Sequence, residues 1–220
     1  MPDAQVPGQG AAPTLVGTGA YRGSVGEPEV VRAKDRAAWR RWLERHHATS
    51  PRIRLTIAKK GGTVPAVPYA EAVEEALCFG WIDSTAGPLD DSAYLVQMGP
   101  RRPGSGWSKV NKERIARMIA EGKMTPAGMA AIEAAERDGS WAKLDASHAL
   151  RVPRDLASAF RGYPNAKRHF DAFPPSARRA ILEWIDGAKR PETRAKRVAE
   201  AARLADENVR AHQPRPKEPG

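Results

Sequence analysis

Of the 220 residues only one, Cys78, is a cysteine, so no internal disulfide can form. One thiol and five scattered histidines offer no metal-ligand spacing, and neither a metal nor any other cofactor is expected. No apolar run approaches the roughly 20 residues that a bilayer crossing needs, and the start lacks the charged and apolar regions of a signal peptide. The reading is therefore a chain without a membrane span, expected in the cytoplasm. Between residues 65 and 100 there is no lysine or arginine at all, against six acids. A protein coated for nucleic acid along its whole length would rarely contain such a gap, so nucleic acid is a possible partner but not the favoured one.

What is present is ordinary globular composition, 41% hydrophobic and 28% charged, with 36 Lys and Arg against 26 Asp and Glu. The net charge of +10 favours acidic partners in patches, and the length suffices to bury a core without a staple. Residues 1–27 are rich in Gly, Pro and Ala without periodicity and read as a disordered tail, as do residues 211–220. Between them the pattern predicts an α+β fold: a small antiparallel sheet packed with helices over 28–145, then a helical C-terminal region over 146–210.

Locally, Val30 and Val31 suit a short strand, and Asp35 is placed to cap a helix bearing Trp39, Trp42 and Leu43 on one face. Residues 52–57 alternate as a half-buried strand does. After Pro68 a helix is expected with Tyr69, Val73, Ala76, Leu77 and Gly80 inward, and Glu71, Glu74 and Glu75 outward. Strands are expected at 81–83 and 93–96, and Ser108 and Thr125 are placed to cap two further helices. Past Trp141 the strands disappear, leaving three or four helices between Val152 and Arg210, with Ile181, Trp184, Ile185 and then Val198, Ala202, Ala205, Val209 inward.

Chemistry-bearing residue types crowd into Pro100–Asn111, PRRPGSGWSKVN. A Gly-containing loop here runs into a helix start, where backbone N–H groups and the dipole favour an anion. Arg101, Arg102, Ser108, Lys109 and Asn111 would hold a phosphate or carboxylate against the flat wall of Trp107. The other reading is that Ser108 and Asn111 only cap the helix and the arginines pair with preceding acids such as Asp83. Cys78, sharing a helix face with Glu71 and Glu75, reads as a buried structural thiol. Asp90 and Asp91 read as a solvated turn, and His46 and His47 as the cationic end of a helix. Arg190, Arg194 and Arg197 form a stripe that suits a phosphate backbone or, more simply, a solvated basic face.

Taken together, Trp39–Leu43 (WRRWL), Lys59-Lys60, Tyr69–Asp83 (YAEAVEEALCFGWID), Pro100–Asn111, Gly122–Ile132 (GKMTPAGMAAI) and Trp184–Arg197 (WIDGAKRPETRAKR) resemble the YdeI/OmpD-associated, or bacteriocin-protection, family over about residues 30–210. The resemblance implies a part in tolerance of bacteriocins and cationic antimicrobial peptides, and supplies no catalytic residues. The motif residues retained are Cys78, Gly80, Trp81, Asp83, Arg101, Trp107, Ser108, Lys109 and Asn111. A non-enzymatic binding protein is expected, with Trp81, Asp83, Arg101, Arg102, Trp107, Ser108, Lys109 and Asn111 about a small anionic ligand or a protein partner. The alternative is an enzyme acting on a phosphorylated or carboxylated metabolite with Asp83 and Lys109 near the anion. Direct capture of a cationic peptide would fall to Glu71, Glu74, Glu75, Asp90 and Asp91; the indirect route through a bound ligand is favoured.

Overall fold

The computed structural model describes residues 28–212, so the tail expected over 1–27 and all but the first two residues of the tail expected over 211–220 lie outside the described residues. The chain divides into two compact units, residues up to 76 with 82–100, and residues 77–81 with 101 onward.

The first unit holds β1 (Val30–Val31), α1 (Arg36–His46), β2 (Ile53–Ala58), most of α2 (Tyr69–Cys78) and β3 (Trp81–Pro88), and β4 (Ala93–Pro100). The strands lie in the order β1-β2-β4-β3. The α+β class is as expected, but the sheet is mixed rather than wholly antiparallel. β1 runs parallel to β2, because a helix, α1, separates the two and returns the chain in the same direction, whereas β2 and β4 pair antiparallel. Ile53, Leu55 and Ile57 sit opposite Met98, Val96 and Tyr94, and all of these but Tyr94 are buried. Asp35 Oδ1 accepts the Ala38 N–H at 2.7 Å, which starts α1 where the sequence placed its cap. Trp39 and Leu43 are wholly buried, and Trp39 Nε1 donates to the Ala72 carbonyl at 3.0 Å.

α2 departs from expectation. Tyr69 is exposed, Gly80 lies beyond the helix in a left-handed conformation (φ 73°), and Glu74 and Glu75, expected outward, are buried. Two α1 arginines account for this: Arg36 contacts Glu75 at 2.6 Å and Glu74 at 3.0 Å, while Arg40 contacts Glu75 at 2.8 Å. Burial opposes the Arg36 charge, but hydrogen bonds and charge from Glu75 and then Glu74 hold its proton affinity above arginine's ordinary value. A buried carboxylate is tolerated only when so paired, which a 3.6-residue period cannot reveal.

The second unit holds α3 (Lys109–Ala120), α4 (Pro126–Arg137), the single turn α5 (Asp145–His148), α6 (Arg154–Phe160), α7 (Ala166–Ala172), α8 (Pro175–Asp186) and α9 (Pro191–Asp206). Thr125 caps α4 and also ties it to the end of α2: its N–H and hydroxyl both donate to the Cys78 carbonyl, at 3.2 and 2.6 Å. The approach is close enough that a Cβ on Gly128 would stand 2.2 Å from that carbonyl oxygen, so only glycine fits. Cys78 itself is buried, as expected of a structural thiol.

Helices α6–α9 close over a core of their own that includes Leu156, Phe160, Phe170, Ile181, Ile185 and Ala202. Val209, expected in this core, is exposed beyond the end of α9. Within the segment expected as a C-terminal tail, Ala211 is buried and the His212 ring stacks on Trp184 at 5.2 Å.

The arginine stripe of α9 is engaged within the fold. Arg194 Nε reaches Asp155 at 2.7 Å and its Nη1 reaches Asp186 at 2.9 Å, tying the start of α6 and the end of α8 to α9. Arg197 donates to the Trp184 carbonyl and lies over that ring. A solvated basic face therefore describes Arg190 but not its two partners. The Arg194 hydrogen bond holds the Asp155 carboxyl below its ordinary value, against partial burial that would raise it. A depressed folded value stabilises fully above the unfolded value, near pH 4, and is lost as pH falls through the folded one. Arg194→Ala is expected to lower stability at neutral pH while making its fall below about pH 4 shallower, as read from denaturation midpoints at neutral and acid pH.

Candidate site: the arginine loop between β4 and α3

Pro100 ends β4 and Ser108 caps α3, so the loop between them is fixed at both ends. Its start is pinned by the Arg101 N–H, which donates to the Gly80 carbonyl at 3.0 Å. The Arg101 guanidinium lies 3.6 Å over the Trp107 ring and donates through Nη2 to the Gly106 carbonyl at 2.9 Å. Trp107 is almost wholly buried and meets Trp141 at 5.1 Å, so the cation rests on a rigid platform.

Gly104, at the tip, has φ 73°, a left-handed conformation that suits glycine. Its N–H donates to Asp138 Oδ2 at 3.0 Å and its carbonyl accepts from Lys143 Nζ at 2.9 Å. Asp138 Oδ1 also accepts the Ser140 N–H at 2.8 Å. Hydrogen bonds from Ser140 first, then the Gly104 N–H and the Lys143 charge, hold the Asp138 carboxyl below its ordinary range. The loop thus already holds an anion, supplied by its own chain.

At the helix start, Ser108 Oγ accepts the Asn111 N–H at 3.3 Å, and Asn111 Oδ1 accepts from Arg114 at 2.9 Å. The Lys109 N–H donates to His148 Nδ1 at 3.1 Å. Ser108 therefore caps the helix, while the Asn111 side chain engages Arg114 of the same helix. Trp81 is buried, and Asp83, in the first unit, accepts the Tyr69 hydroxyl at 2.6 Å. His47 contacts the Leu43 carbonyl through Nδ1 at the end of α1.

Among the expected site residues, two cations remain turned to solvent. Arg102 is exposed and has no ion pair among the described residues. The Lys109 side chain is 77% exposed, with Glu113 at 3.8 Å. Arg102 borders a cleft of about 90 Å³ whose wall includes Ser105, Trp107, Ala135, Asp138 and Ser140. Sequence reasoning missed Asp138, Ser140, Lys143 and His148. An Asp-Gly-Ser stop after a helix signals a side chain turning back on its own backbone, but not which distant loop it meets.

This is an α+β sheet unit joined to a helical one, with an arginine loop between strand and helix. Residues 149–208, which contain the tail motif Trp184–Arg197, match the family described as Bacteriocin-protection, YdeI or OmpD-Associated. Residues 31–131, which contain both ALCFGWID and WSKVN, match instead a family described as Domain of unknown function (DUF8412). No curated protein and no solved structure matches the chain.

Proposed function

We propose that the chain is a non-enzymatic binding protein in tolerance of bacteriocins and cationic antimicrobial peptides, acting through a small anionic ligand at the mouth of the arginine loop. The observation that carries this reading is Arg102, an exposed guanidinium without an ion pair among the described residues, beside a cleft in which Asp138 accepts the Gly104 and Ser140 N–H groups. Lys109 adds a second exposed cation at the next helix start. Direct capture of a cationic peptide is disfavoured, because Glu74 and Glu75 are buried against arginines and Asp90 Oδ1 accepts the Ser92 and Ala93 N–H groups. A net charge of +10 also repels such a peptide at long range.

Sulfate at about ten times its dissociation constant is expected to add about 1.4 kcal/mol, or roughly 3–5 °C in Tm, beyond a chloride control of equal ionic strength. Arg102→Ala is expected to abolish that difference with little change in the unliganded Tm, whereas Arg101→Ala lowers the Tm itself. A wild-type protein indifferent to sulfate and phosphate removes the anion site.

A further inference from the structure

We infer that His148 is a proton-sensitive tether of the α3 start, and through it of the arginine loop. His148 ends α5 with its side chain only 13% exposed, and its two ring nitrogens face opposite demands. Nδ1 accepts the Lys109 N–H at 3.1 Å, so it carries no proton; Nε2, 3.4 Å from Glu183 Oε1, carries the proton instead. The neutral ring in this tautomer serves both neighbours at once. A second proton can go only to Nδ1, where it meets the Lys109 N–H head on at the positive end of the α3 dipole. The imidazolium keeps Glu183 and releases Lys109.

The other charged groups around the ring do not compensate for that loss. Lys112 of α3 pairs with Asp145 of α5, a second tie that keeps the two elements together in either state. The Lys109 ammonium lies near Glu113 of its own helix, and Asp186, further along α8, is held by Arg194. Protonation therefore loosens the first turn of α3 and the adjoining loop without detaching the helix. Lys109 falls in the segment matched to the domain of unknown function and Glu183 in the segment matched to the bacteriocin-protection family, with His148 just before the latter. A single imidazole thus couples the two.

The tether stands on its own geometry; its regulatory meaning, acid-dependent repositioning of the Lys109 and Arg102 cations, rests on the proposed anion site. Backbone and histidine-ring NMR of the full chain between about pH 5 and pH 8 tests it. The Lys109 amide is expected to move with the midpoint of the His148 ring in the wild type. It should stay flat in His148→Gln, whose amide oxygen accepts at every pH. In parallel, the sulfate-dependent Tm increment should change at least roughly twofold between about pH 5.5 and pH 7.5 in the wild type and not in His148→Gln. A Lys109 amide that ignores the ring titration, or moves equally in His148→Gln, overturns the tether. If Lys109 follows His148 but sulfate has no effect at either pH, the tether stands and the anion reading fails.

Discussion

Glu75→Ala is expected to destabilise the protein by about 3 kcal/mol, a fall of roughly 6–12 °C in Tm. The carboxylate is 2% exposed and holds Arg36 and Arg40 together, so its removal leaves two guanidinium groups with one shared partner fewer. Both arginines keep about 30% exposure and can turn partly to water, which puts the effect at the low end for a broken buried pair. Glu44→Ala is the control, since its ion pair with Arg40 is half exposed and is expected to change stability by less than about 0.5 kcal/mol. Urea denaturation of both variants measures the contrast. Equal midpoints would mean that the arginines do not depend on Glu75.

Trp107→Ala is expected to cost about 3–5 kcal/mol, the range for truncating a buried large aromatic. Beyond the cavity, Arg101 loses the ring it lies on and Trp141 loses its neighbour, so the loop is expected to lose its sulfate response as well as stability. Trp107→Phe keeps a face for the guanidinium and is expected to retain the response with a smaller loss. Denaturation midpoints and the sulfate-dependent Tm shift of the two variants check this. A sulfate response surviving in Trp107→Ala would show that Arg102 acts without the platform.

Features decided within one turn of chain were legible in the sequence. Asp35, Ser108 and Thr125 each accept an N–H three residues on, and all three caps are found where residue type and spacing put them. Strand alternation over residues 52–57 was equally local. Glu74 and Glu75 were misplaced because their environment is supplied by Arg36 and Arg40, nearly forty positions earlier; a run of glutamates on a helix looks solvated until a partner arrives. Arg194 failed as a surface cation for the same reason, since Asp155 lies 39 positions away. At the loop, the residue types drew attention to the segment Pro100–Asn111. Which of its donors and acceptors were already engaged depended on Asp138, Lys143 and His148, which approach from 34 to 39 positions beyond. The parallel pairing of β1 depended on the path of the chain around α1, which two valines do not encode.

The carboxylate of Asp138 on the Gly104 N–H also changes what the loop can ask of a ligand. A group tethered through the protein's own backbone competes at an effective concentration far above that of most small molecules in solution. An outside anion does not readily displace it, so the backbone donor at the loop tip is closed to traffic and selectivity passes to the side chains at the rim. Under the proposed function, ligands would be discriminated by how they meet an exposed, planar guanidinium rather than by fit to a fixed peptide cradle. On the proposed anion reading, such a rim is expected to tolerate anions of several shapes and to bind each of them weakly and reversibly.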